Sequence, residues 1–210
     1  LMIMFGGFVE MWGVDHNFTL KHYIEAFSVD WVKERGLLWT GTAWNSFNTT
    51  FTIAIISALP TAAIGILTAY LLTRHKFKGK NAFEFGTMLS FAIPGSVIGV
   101  SYVFAFNVPP LELTGTGIIL VIAFVFRNMP VGVRAGIAAM NQLDPHLDEA
   151  SSTLNASSSQ TFRNVILPLL KPAITASLVF SFVRAMTAIS AVIFLVSANY
   201  DLAVSYILGR

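Results

Sequence analysis

Between Asp148 and Pro172 the chain reads DEASSTLNASSSQTFRNVILPLLKP. The stretch separates two long apolar runs, yet it is too patterned for a loose connection. Asp144 is a favourable helix N-cap and Pro145 fits the first helical position. Leu147, Ala150 and Leu154 then recur on one helical face. Asn155 tolerates the left-handed conformation that ends a helix. Ser157 and Gln160 stand at capping-box spacing for a second helix. Phe162, Val165, Ile166 and Leu169 supply that helix with an apolar face, and Pro168 and Pro172 interrupt it before the next run. Residues 141–171 therefore read as a helix–turn–helix. Its apolar face must be covered by lipid, by the rest of the chain or by another protein. Its polar face is rich in Ser and Thr, not in the Lys and Arg typical of helices that lie on a bilayer.

The rest of the sequence places this elbow in a membrane protein. Of 210 residues, 55% are hydrophobic and only 11% charged, against about 25% charged in soluble domains. About 20 apolar helical residues cross a hydrocarbon core, and in lipid only helices and closed barrels satisfy the backbone. Two-residue alternation is absent, so the expected class is all-α, a polytopic transmembrane helical bundle. Four spans are predicted at Trp44–Thr73, Ala82–Phe106, Gly115–Met140 and Pro172–Ser197. The loop Arg74–Lys80, RHKFKGK, is strongly basic and is therefore cytoplasmic. The elbow lies two spans later, on the same side. Trp12, Trp31, Trp39 and Trp44 cluster around the first outer segment, as expected at a water–lipid boundary. Within it Leu20, Tyr23, Ile24 and Phe27 predict a short surface helix. Pro60, Pro94 and Pro130 fall inside apolar runs, where each removes a backbone donor and tends to kink a helix. Pro94–Gly99 reads either as an unwound, cavity-lining stretch or as small residues for close packing. Residues 1–210 form one module, and the apolar run at Leu1 and the close at Arg210 lead us to expect an excerpt of a longer or fused polypeptide.

Several functions are excluded by what is missing. With no cysteine, thiolate metal sites are impossible, and no metal site is expected. A net charge of +2 gives no reason to expect nucleic acid. His16, His22, His75 and His146 lie outside the spans, which removes a nucleophile–base pair within the bilayer. A secondary transporter would want carboxylates near the midplane, and the only acid in the spans, Glu84, sits near an end. Arg127 and Arg184 fall near mid-span, with Arg134 closer to the cytoplasmic end. A charge there costs at least about 2.5 kcal/mol, so these side chains either line a translocation path or bond backbone carbonyls near kinks. For Arg134, snorkelling is a further reading. No G-x-x-x-x-G-K-[ST] phosphate loop occurs, so energy from ATP would have to arrive through a partner.

One resemblance follows from the elbow. Membrane subunits of binding-protein-dependent ABC importers carry Glu-Ala-Ala, three residues, Gly, nine residues, then Ile-x-Leu-Pro. Here Glu149-Ala150-Ser151, Asn155 and Val165-Ile166-Leu167-Pro168 keep that spacing throughout. The resemblance implies the type I importer permease fold, with the first elbow helix as a coupling helix docked on a cytoplasmic ATP-binding subunit. It puts Glu149, Ala150, Ser151 and Asn155 at or near that contact, and Leu167 and Pro168 at the exit into the next span. It further implies that ATP and magnesium are held by that partner, that this chain is no enzyme and carries no cofactor, and that a second permease module, fused or separate, completes the path. An extracytoplasmic binding protein would deliver substrate, and the location would be a bacterial-type inner membrane. Ser181–Ser197 and Ala123–Gly136 look like the equivalent stretches of ferric-iron importers. Related oxyanion permeases carry a Glu after the arginine of the later span, whereas this chain reads Arg184-Ala-Met-Thr-Ala188. Ferric iron is thus the expected substrate, with sulfate, phosphonate or a polyamine as alternatives within the class, and a secondary transporter as the alternative outside it.

Overall fold

A computed structural model describes residues 7–11, 13–32, 36–144 and 146–208. Pro145 and Trp12, both read above, lie outside the described residues. The chain opens with an antiparallel hairpin, β1 (Val9–Met11) and β2 (Asp15–Phe18), followed by helix α1 (Lys21–Ala26) and a second hairpin, β3 (Val29–Val32) and β4 (Gly36–Trp39). Sequence periodicity anticipated α1 but not the hairpins, whose strands are only 3–4 residues long. Helix α2 (Trp44–Arg74) is continuous through Pro60. The next expected span is two helices, α3 (Lys80–Ala92) and α4 (Gly95–Phe106), bent by 106°. Helix α5 (Gly117–Met140) is continuous through Pro130. The elbow contains α6 (His146–Thr153) and α7 (Ser158–Leu169), which bends by 72° into α8 (Lys171–Thr187). A final short helix, α9, covers Ala203–Leu208.

Two corrections to the predicted spans follow. The span Ala82–Phe106 is broken at Ile93–Pro94, because Pro94 cannot donate and disfavours helix for the residue before it. Pro94–Gly99 is not unwound beyond this joint, since Gly95 already begins α4. The helix of the span Pro172–Ser197 ends early, at Thr187; residues 188–196 continue in turns toward the Trp44 end of α2 and bury Ala191, Val192 and Leu195. Arg184 consequently sits in the last turn of α8, next to Ala185 of the Ile53 cluster.

At about 1.5 Å per residue, neither α3 nor α4 alone reaches across a hydrocarbon core of about 30 Å. Their neighbours show that the pair crosses nonetheless. Met88 of α3 packs on Leu72, Met129 and Val133, near the Arg74 end of α2. Tyr102, Val103 and Phe106 of α4 pack on the cluster of Ile53, Ala54, Ile119, Leu120 and Phe124, near the Trp44 end. The bent pair is therefore a broken span and not a re-entrant loop. With α8, whose Ala173 and Ala185 belong to clusters at opposite ends, the bundle has four crossings.

The bundle closes most tightly where α2 meets α5. A Cβ on Gly65 would lie 3.0 Å from the backbone of Gly132, and a Cβ on Gly132 would lie 2.6 Å from Ser177 Oγ on α8. Small residues thus let three helices approach at one level, the usual way helices associate where no hydrophobic effect drives them together. Buried hydroxyls on α2 are returned to their own helix: Thr50 Oγ1 donates to Ser46 O at 2.7 Å and Thr61 Oγ1 to Ser57 O at 2.6 Å.

The two glycines should respond differently to alanine. Gly65→Ala collides with backbone and is expected to destabilise by about 1–3 kcal/mol. Gly132→Ala meets a hydroxyl that can rotate and should cost less. Thermal unfolding in detergent micelles gives the ranking.

Candidate functional site

The elbow is built from local bonds that fix it as a rigid piece. Asp144 Oδ1 accepts the His146 N–H at 2.9 Å and opens α6. At the other end Asn155 takes φ 58°. Its N–H reaches Ser152 O at 3.0 Å and the Ala156 N–H reaches Ser151 O at 3.2 Å. This bond pair is the Schellman arrangement, which satisfies the last carbonyls of a helix. Asn at this position supports the left-handed turn with a short polar side chain. Ser157 and Gln160 form the reciprocal capping box, with Ser157 N–H on Gln160 Oε1 at 2.8 Å and Gln160 N–H on Ser157 Oγ at 3.3 Å.

Ser151, which stands where the motif has its second Ala, clamps the two helices together. Its hydroxyl lies 2.6 Å from Thr161 Oγ1, and both residues are buried. Phe162–Ile166 is a π-turn, in which the Leu167 N–H bonds Phe162 O. The extra residue in that turn shifts the apolar face. Ile166 and Leu170 are fully buried against Ile66, Ala69 and Met140, while Leu169, expected on this face, is exposed. Phe162 packs against Tyr70 of α2, the rings tilted by 58° with centroids 4.7 Å apart. Leu167 is half-buried and Pro168 exposed at the exit toward α8.

Part of α6 is left open. Ala150 is exposed, and Leu154 is 83% exposed. Among the described residues nothing covers Ala150 and Leu154, whereas Leu147 on the same face is half-buried. Glu149 points to solvent and pairs with His146, Nδ1 to Oε2 3.0 Å, with side chains 75% and 79% exposed respectively. The hydrogen bond to Glu149, then the charges of Asp144 and Glu149, raise the His146 pKa above its ordinary 6.5. The sequence placed His146 outside the spans without a partner; Glu149 three residues on is the signal for this pairing.

The sequence reading missed Arg74 and Asp148. Arg74 ends α2, Asp148 stands in the first turn of α6, and Nε lies 3.1 Å from Oδ2. Their side chains are 15% and 33% exposed. Each charge sits at the helix end whose dipole favours it. The approach lies off the N–H axis, and Arg74 Nη2 is buried with no acceptor among the described residues. Only the residue types at the two helix ends hinted at this pair, because the chain between them hides the contact.

The three arginines separate. Arg127 Nη1 donates to Ser90 O at 2.8 Å and Ile93 O at 2.9 Å, carbonyls freed where α3 breaks. Arg184 is exposed, with Cζ 5.9 Å from the Phe180 ring centroid, within cation–π range. Arg134 is exposed on α5. No group of three or more His, Asp or Glu able to hold a metal occurs among the described residues.

A bundle of this kind has a solved counterpart. The crystal structure of a bacterial ABC transporter involved in the import of the acidic polysaccharide alginate superposes with TM-score 0.63, at 16% identity, over 78% of this chain and 56% of that one. The two proteins share this fold. Residues 61–208 match the family described as binding-protein-dependent transport system inner membrane component, and the chain belongs to that family. It is 49% identical to the ferric transport system permease protein FbpB of Actinobacillus pleuropneumoniae over 99% of its length. It is 50% identical to the putative ferric transport system permease protein FbpB 1 of Haemophilus influenzae over 94%. The chain spans 29% and 30% of those two proteins. The sulfate transport system permease protein CysT of Salmonella typhimurium is 31% identical over 71% of this chain and 58% of its own.

Replacing Asn155 by Gly should leave the elbow intact, whereas Asn155→Val forces a β-branched residue left-handed at a cost of about 1–2 kcal/mol. Hydrogen exchange across 146–169 should stay protected in the first variant and lose protection in the second. The His146 pair has a defined pH sense. With a raised folded pKa, its contribution is complete below the ordinary 6.5 and is lost as pH rises through the folded value. The imidazole titration followed by NMR should have its midpoint above 6.5 and should move down in Glu149→Gln.

Proposed function

We propose that residues 1–210 form part of the permease of an ATP-driven importer, lining its translocation path and receiving work from a cytoplasmic ATPase subunit on α6. The observation that carries this reading is the capped, rigid elbow on which Ala150 and Leu154 are left uncovered by the described residues. A loose loop would absorb a displacement; a helix closed by a Schellman turn and tied to α7 passes it on. Glu149 and Asn155 border those two residues, Ser151 braces them, and Leu167 and Pro168 carry the elbow into α8. ATP and magnesium belong to the partner. A second permease module and an extracytoplasmic binding protein complete the system.

Ferric iron is the substrate favoured by about half identity to two ferric permease proteins over nearly the whole chain. Selection would rest with the binding protein, since the described spans offer no oxygen cage for a hard cation, and weak binding in a path favours release. A second reading, an oxyanion, draws on the sulfate permease relative and on the exposed cations Arg134 and Arg184.

Affinity purification of the intact protein should bring down an ATP-binding subunit, and the amount should fall several-fold in Leu154→Asp. Uptake of labelled ferric iron should be lost in a deletion strain while sulfate uptake is unchanged. Loss of sulfate uptake alone would favour the oxyanion, and absence of any ATPase partner would exclude the importer reading.

A further inference from the structure

We propose that Arg74 and Asp148 are a positioning pair through which displacement of α6 drives α2 lengthwise, so that α2 carries motion from the elbow to the opposite face. The inference rests on the importer reading above. Helix α6 bears the uncovered Ala150, yet it has few holds on the bundle. Ser151–Thr161 joins it to α7 within the elbow. The ion pair to Arg74, Nε to Oδ2 3.1 Å, is the one that, among the described residues, ties it to a membrane-crossing helix. The apolar contacts of the elbow, Phe162 on Tyr70 and Ile166 in the cluster with Ile66 and Ala69, hold α7 instead.

What Arg74 terminates is suited to the task. Helix α2 runs 31 residues without interruption, a rod of about 46 Å at 1.5 Å per residue. Its far end is bonded as firmly as its near end. Ser46 Oγ donates to Asp201 Oδ2 at 2.7 Å, Thr50 Oγ1 accepts the Ala203 N–H at 2.7 Å, and Thr42 meets the Tyr206 hydroxyl. The rod thus links the elbow to α9 on the opposite face. The alternative route, through α7 into α8, bends by 72° at Leu170 and would lose part of any axial push there. An ion pair shielded from water resists sliding better than apolar contact, and its low exposure keeps it from being screened away as surface pairs are.

The test uses the intact complex with its ATPase subunits and binding protein. In Arg74→Gln and Asp148→Asn, ATP hydrolysis and assembly should persist while substrate taken up per ATP falls several-fold. The exchanged double variant, Arg74→Asp with Asp148→Arg, should recover most of the coupling. In an otherwise cysteine-free background, Arg74→Cys with Asp148→Cys, bridged by a thiol crosslinker about as long as the two side chains, should transport only when bridged. Wild-type coupling in both single variants, or transport blocked by the bridge, overturns the pair. Wild-type complex that neither hydrolyses ATP nor transports overturns the importer reading, and the pair with it.

Discussion

The backbone contact between Gly65 and Gly132 sets the terms for the remaining structure. Where lipid surrounds a bundle, helix association depends on dispersion and hydrogen bonding, both of which demand close approach. A Cβ on Gly65 would sit 3.0 Å from the Gly132 backbone, so the two longest helices meet with almost nothing between them. Ser177 then fills the remaining gap from α8. With α2, α5 and α8 pinned at one level, the clusters on either side are fixed. One, around Ile53, Leu120 and Phe124, closes the end facing the hairpins; the other, around Ile66, Met140 and Leu170, seats the elbow. The elbow owes its placement to that second cluster and its rigidity to its own caps.

The broken crossing shows the complementary constraint. Backbone groups freed in hydrocarbon need partners, each unsatisfied one costing several kcal/mol. Pro60 and Pro130 are absorbed within continuous helices, but Pro94 opens a bend of 106°. Arg127 from α5 reaches the carbonyls of Ser90 and Ile93. The segment 188–196 packs against the start of α4, where Gly95 and Gly99 leave room for Ser190 and Ala191. Ending α8 at Thr187 and breaking the chain at Pro94 are therefore two halves of one arrangement: the residues released from the later span fill the space beside the earlier break.

Most of the elbow was legible because its determinants are local. Asn155, Ser157 and Gln160 act within a few residues, and each took the geometry its chemistry implies. The family followed from the spacing of those same residues. What stayed hidden depends on distant partners. Residues 188–196 are as apolar as a helix continuation, and only their packing against α4 makes them turn. Arg127 read equally as a path-lining charge or a carbonyl ligand, since the choice lies with a break on another helix. The face of α7 was misplaced at Leu169 because a π-turn leaves no mark in hydropathy.

Arg127 also limits how this architecture can diversify. Its guanidinium is a joist under the bent crossing: a shorter or uncharged side chain at this position would leave the Ser90 and Ile93 carbonyls bare inside the bundle, so the break in one helix and the arginine on another are bound to change together.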